Sequence, residues 1–120
     1  MKNKTFIDSI RCAFVGLRCA LKTEKNFKYY FTIAIFFFIV NCISRVGSME
    51  HVAFLIACGG VFSAEFINTS IERLADALTT EISEKIKVVK DIAATSVLIW
   101  GFVFFAIEAV ILITRWIAMI

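Results

Sequence analysis

Apolar residues Ile7, Ile10, Phe14, Leu17 and Leu21 recur at steps of three and four, with Arg11, Arg18, Lys22 and Lys25 sharing the opposite face. That period predicts an amphipathic helix from about Thr5 to Lys25, lying on a membrane surface within the segment 1–28. An uncharged, Phe-rich run over 29–44 follows, with Tyr29 and Tyr30 placed as an interfacial aromatic belt. At about 16 residues it is slightly short for a span, so flanking residues must help it cross. A compact turn carrying Arg45 and Glu50 precedes a second apolar run that begins near His51, giving a second span over 52–72. The third span falls at 94–117, with Trp100 near one end and Arg115-Trp116 at the other. Between them, 79–89 is polar and reads as a loop or helix extension.

Composition agrees with that pattern. Of 120 residues 60% are hydrophobic, mean hydropathy is +0.85, and there are 13 Phe and no Pro, which places the chain among integral membrane proteins as one small all-α domain. So short a chain encloses little private core, and polar faces on three spans imply packing against further copies. Lys2, Lys4, Arg11, Arg18, Lys22, Lys25 and Lys28 crowd the first segment against only Asp8 and Glu24. The apolar stripe interleaved with these cations suits lipid rather than nucleic acid. Basic residues in the N-terminal segment and in 73–90 put both on the cytoplasmic side by the positive-inside rule. Cys12, Cys19, Cys42 and Cys58 form no CxxC pair and read as small packing residues. The N-terminus lacks the apolar core and cleavage site of a signal peptide, so the whole chain is taken as mature protein.

Candidate chemistry concentrates where the second span ends. In the stretch EFINTSIERLAD over 65–76, Glu65, Asn68, Glu72 and Asp76 fall on one narrow face at about 100° per residue. Ile67, Ile71, Leu74 and Leu78 point away. Counted from His51 at the outer boundary, Glu65 lies roughly 21 Å along a helix, inside a hydrocarbon layer of about 30 Å. Glu72 and Asp76 emerge further on, at the interface. Carboxylates so close repel one another and are costly near lipid, and a divalent cation bridging a phosphate offsets that charge. Phosphoryl transfer fits: carboxylates hold magnesium, another takes a proton from an attacking hydroxyl, and an amide orients either partner.

Other groups are weaker alone. Lys90-Asp91 ahead of the small residues Ala93, Ala94, Thr95 and Ser96 offers a point charge for phosphate and an acceptor, or simply a solvated ion pair. Glu24, isolated among cations, reads as a surface charge paired with Lys25 or Lys28. Glu108, in the middle of the third span, is an intramembrane acid and so a functional candidate by default, with helix packing or an oligomer contact the favoured role. No P-loop, GxGxxG, HExxH or GxSxG pattern occurs.

These residues together resemble the prokaryotic diacylglycerol kinase family, small membrane lipid kinases that include the undecaprenol kinases of Gram-positive bacteria. Three elements carry the resemblance in family order: GLRCALKTE, EFINTSIERLAD and KDIAA. It implies a homotrimer of subunits with a surface helix and three transmembrane helices, and active sites shared at subunit interfaces near the cytoplasmic face of the bacterial inner membrane. ATP and Mg2+ would phosphorylate a lipid hydroxyl. Position by position, Glu65 would be the general base and Asn68 a catalytic polar group. Glu24 and Glu72 would bind metal and ATP, Lys90, Asp91, Glu81 and Ser83 would contact the nucleotide, and Arg18 with Glu65 would meet the lipid. Cys12 stands where Gram-negative relatives have a Tyr for the adenine, and Ile82-Ser83 where the family often has Tyr-His. The segments 22–27 and 59–63 look closer to undecaprenol kinases, which makes undecaprenol the favoured acceptor and diacylglycerol the alternative. From another class, a small oligomeric membrane transporter also uses embedded acids, but favours four spans and a lone deep Glu.

Overall fold

The computed structural model describes residues 5–81 and 83–120, so Lys2, Lys4 and Ile82 lie outside the described residues. The described chain is all-helical: α1 (Phe6–Thr23), α2 (Asn26–Ile43), α3 (Ser48–Leu78) and α4 (Glu84–Met119). The last three are long and apolar enough to cross a membrane.

Local chemistry accounts for the ends. Thr5 and Asp8 form a reciprocal capping box, Asp8 N–H donating to Thr5 Oγ1 at 3.2 Å and Thr5 N–H to Asp8 Oδ2 at 3.3 Å. At the other end of α1 the chain turns extended at Glu24 (φ −109°, ψ 123°), and α2 starts one residue beyond Lys25. α2 ends in a Schellman arrangement: Arg45 takes the left-handed conformation (φ 54°), its N–H reaching Cys42 O at 3.2 Å while Val46 N–H reaches Asn41 O at 3.3 Å. Both α3 and α4 run longer than the apolar segments 52–72 and 94–117. The polar stretch after 79 is divided, since α3 stops at Leu78 and α4 begins at Glu84.

α3 and α4 supply the most extensive packing. Gly60 lets them close: a Cβ there would sit 2.1 Å from Trp100 Cε3, so the indole lies directly on the α3 backbone. A small core of Phe54, Ala57 and Phe104 is bordered by Phe37, Cys58, Val61 and Ile107. α2 joins at both ends. Phe27, 1% exposed, packs on Phe66 with ring centroids 4.5 Å apart. At the far end Asn41 Nδ2 donates to Glu108 Oε1 at 3.0 Å, both residues buried. Beyond that pair, Arg115 Nε donates to Ser44 O at 2.7 Å and Trp116 Nε1 to Ser44 Oγ at 3.2 Å. Glu108 is therefore held to α2 through Oε1, while its Oε2 is buried without a partner among the described residues.

Most remaining apolar side chains, Phe36, Leu55, Phe102 and Val110 among them, are exposed. In water that surface would be a severe penalty; against acyl chains it costs nothing.

Candidate functional site

The carboxylate stripe on α3 emerges as the sequence period predicts, and its members differ sharply in exposure. Glu65 is 3% exposed and Asn68 6%, whereas Glu72 is half-buried and Asp76 exposed. Burial falls along α3 from Glu65, which α2 reaches through Tyr30, to Asp76, whose contact with α4 is an exposed ion pair with Lys90. Each acid has its own partner. Tyr30 Oη donates to Glu65 Oε2 at 3.1 Å, and Thr69 Oγ1 approaches Oε1 at 3.5 Å. Asn68 Nδ2 donates to Glu72 Oε1 at 3.2 Å, and Lys90 Nζ to Asp76 Oδ1 at 2.5 Å.

A cleft of about 550 Å³ opens in front of these groups. Glu65, Asn68, Glu72, Tyr30 and Asn26 form its polar wall, and Val61, Val97, Leu98, Phe102 and Phe105 its apolar one. Such a cavity, with a polar wall and a larger apolar one, accommodates a molecule with a polar head and an apolar tail. Asn68 Oδ1 is buried without a donor, and it shares the cleft with the Glu65 and Glu72 carboxylates. Hard oxygen donors of this kind fit a magnesium ion. Among the described residues no three His, Cys, Asp or Glu side chains gather tightly enough to enclose a metal. A cation carried in on phosphate oxygens needs fewer protein ligands.

The other residues singled out by sequence lie elsewhere. Glu24 is not among the residues lining that cleft; its Oε1 accepts from Arg73 Nη2 at 2.8 Å rather than from Lys25 or Lys28. Lys90 and Asp91 do not pair with each other, because they project to different sides of α4: Lys90 reaches Asp76, and Asp91 accepts from Lys87 at 2.6 Å. Lys90, Glu81 and Ser83 line a second cleft, of about 480 Å³, with Asp76, Thr79 and Lys87. Glu81 N–H donates to Thr79 Oγ1 at 3.0 Å, and Ser83 precedes the first turn of α4. Arg18 is exposed on α1 beside Leu17 and Cys19, which line a third cleft against Phe66, Thr69 and Arg73, but is not itself among its lining residues.

Three participants escaped sequence reasoning. Tyr30, read as an interfacial aromatic, is the hydroxyl donor to Glu65; its spacing of three from the buried Phe27 is the signal that both face α3. Thr69 sits one turn beyond Glu65, a position whose hydroxyl can reach the acid. Arg73 directly follows Glu72 and reaches across to α1.

Comparison with known proteins places the chain in a family. The chain is 29% identical over 98 residues to the undecaprenol kinase of Bacillus subtilis (strain 168), covering 82% of this chain and 76% of that protein. It is 31% identical over 91 residues to the diacylglycerol kinase of Helicobacter pylori (strain J99), covering 76% and 70%. The model of the prokaryotic diacylglycerol kinases matches residues 11–112, a stretch that includes all three sequence elements and every residue of the acidic cleft. With a buried acid facing an apolar wall and a match of that extent, the chain belongs to the prokaryotic diacylglycerol kinase family and is a membrane lipid kinase.

Proposed function

We propose that the protein transfers the γ-phosphoryl group of ATP to undecaprenol in the cytoplasmic leaflet. The observation that carries this reading is the cleft itself, in which a buried, hydrogen-bonded Glu65 faces a wall of Val97, Leu98, Phe102 and Phe105. A polyprenol presents one hydroxyl on an otherwise apolar chain and asks nothing more of its site. Diacylglycerol brings ester carbonyls close to its hydroxyl, and the apolar wall has no side-chain donor to receive them.

In the proposed reaction the lipid hydroxyl approaches Glu65, whose carboxylate is oriented by Tyr30 and Thr69. As Glu65 takes the proton, the hydroxyl oxygen bonds to the γ-phosphorus and the bond to the β–γ bridging oxygen breaks, releasing ADP. Asn68, its amide fixed on Glu72, presents a free carbonyl oxygen to the reacting groups. Glu72 and Glu24 would hold magnesium, which when bound neutralises phosphate charge. Lys90, Asp91, Glu81 and Ser83 would serve the nucleotide at the cytoplasmic end, with Lys90 released from Asp76 to the phosphates. Arg18 lies on α1, which as a surface helix would hold it among headgroups near the entering lipid. The subunit works as a homotrimer in the inner membrane with its N-terminus and sites cytoplasmic, a reading supported by the exposed apolar faces and the basic first segment.

The test is a comparison of acceptors. Purified protein in detergent, given ATP and Mg2+, should phosphorylate undecaprenol at least tenfold more efficiently than diacylglycerol by kcat/KM; the reverse order would assign the diacylglycerol reaction instead.

A further inference from the structure

The reading of Glu24 as a metal-binding carboxylate leaves open how a side chain on a short connector is held in place. We propose that Arg73 is its positioning residue, fixing Glu24 against the turn of α3 that carries Glu72. This proposal rests on the metal-binding reading of Glu24 given above.

Glu24 sits at the extended end of α1, one residue before the helix cap of α2, where neither helix ladder constrains its side chain. The Arg73 guanidinium makes the constraint. Nη2 donates to Glu24 Oε1 at 2.8 Å and also to the Thr23 hydroxyl, while Nη1 lies 3.6 Å from Cys19 Sγ. One planar fork thus engages three side chains over the last turn of α1, a geometry that a point-charge ammonium does not reproduce in full. Arg73 and Glu72 are consecutive on an unbroken helix, so the clamp sets the height of Glu24 relative to Glu72. The pair is exposed, 45% and 29% for the two side chains, and exposed ion pairs add little to stability. Its consequence is location. Arg73 engages Oε1 and, among the described residues, no donor reaches Oε2, which is left to face a cation.

The experiment measures cation binding directly. Manganese, a spectroscopic stand-in for magnesium, is titrated into detergent-solubilised protein with a non-hydrolysable ATP analogue, and free Mn2+ is followed by electron paramagnetic resonance. Arg73→Ala should weaken Mn2+ binding by roughly tenfold, the usual cost of losing a group that orients a ligand. Arg73→Lys, which keeps the charge on Glu24, should recover most of it. The double variant Arg73→Ala/Glu24→Gln should bind no more weakly than Glu24→Gln alone, because Arg73 acts only through that carboxylate. Wild-type binding in Arg73→Ala, or independent additive losses in the double variant, would overturn the proposal. Undiminished Mn2+ binding in Glu24→Gln would instead remove the metal-binding reading of Glu24 itself. Circular dichroism of each variant checks the fold; if alanine detaches α1, Arg73→Gln, which retains the stem, takes its place with the same expected direction.

Discussion

At the scale of single residues, the proposed chemistry turns on Glu65 and the two hydroxyls that hold it. A buried acid presented to hydrocarbon is expensive, and the Tyr30 and Thr69 contacts both reduce that cost and aim the carboxylate. Glu65→Gln keeps size and hydrogen bonding but cannot accept a proton, so turnover should fall by at least about 100-fold with the helical content unchanged. Tyr30→Phe removes one hydrogen bond to a charged group and should lower kcat by about tenfold while leaving KM for ATP near wild type. Steady-state kinetics with saturating lipid separates these effects. A Tyr30→Phe enzyme altered in ATP KM alone would place that hydroxyl with the nucleotide instead. The sequence makes Glu65 legible because Asn68, Glu72 and Asp76 repeat its helical face. Tyr30 is separated from it by 35 residues. Only the register of α2 against α3 brings the two together, and periodicity within one helix carries no information about it.

Among the elements, α2 is fixed at one end by aromatic packing and at the other by buried polar bonds. Asn41 and Glu108 are paired in the core, so truncating one leaves the other without its partner. Asn41→Ala should cost about 2 kcal/mol, the usual penalty for a stranded buried acceptor, read from unfolding in mixed detergent micelles. An acid embedded in the third span is legible in the sequence at Glu108, but its partner on α2 is not. That requires knowing which face of α4 meets α2. α3 and α4 depend on a close approach instead. Gly60→Ala would drive a methyl group into the Trp100 ring and should destabilise by about 1–3 kcal/mol; an unchanged unfolding midpoint would contradict this packing. The helix types and order follow from apolar periodicity, whereas their ends reach beyond it. α3 and α4 continue as regular helix into polar sequence, since hydrogen bonding to the preceding turn does not require lipid.

For the whole molecule, the gradient from buried Glu65 to exposed Asp76 lets one rigid helix serve two environments. In the proposed reaction lipid meets the acid at depth, and the water-soluble donor meets the cleft of Glu81, Ser83, Lys87 and Lys90 further out. The joining of these two clefts in one catalytic unit is the central claim, and it is tested by following phosphate from γ-labelled ATP into extracted lipid. Wild-type protein with undecaprenol and Mg2+ should yield a labelled polyprenyl phosphate, and Glu65→Gln, folded and embedded in the same micelles, should yield almost none. Labelled lipid from Glu65→Gln at the wild-type rate, or no labelled lipid from the wild type, would contradict the account.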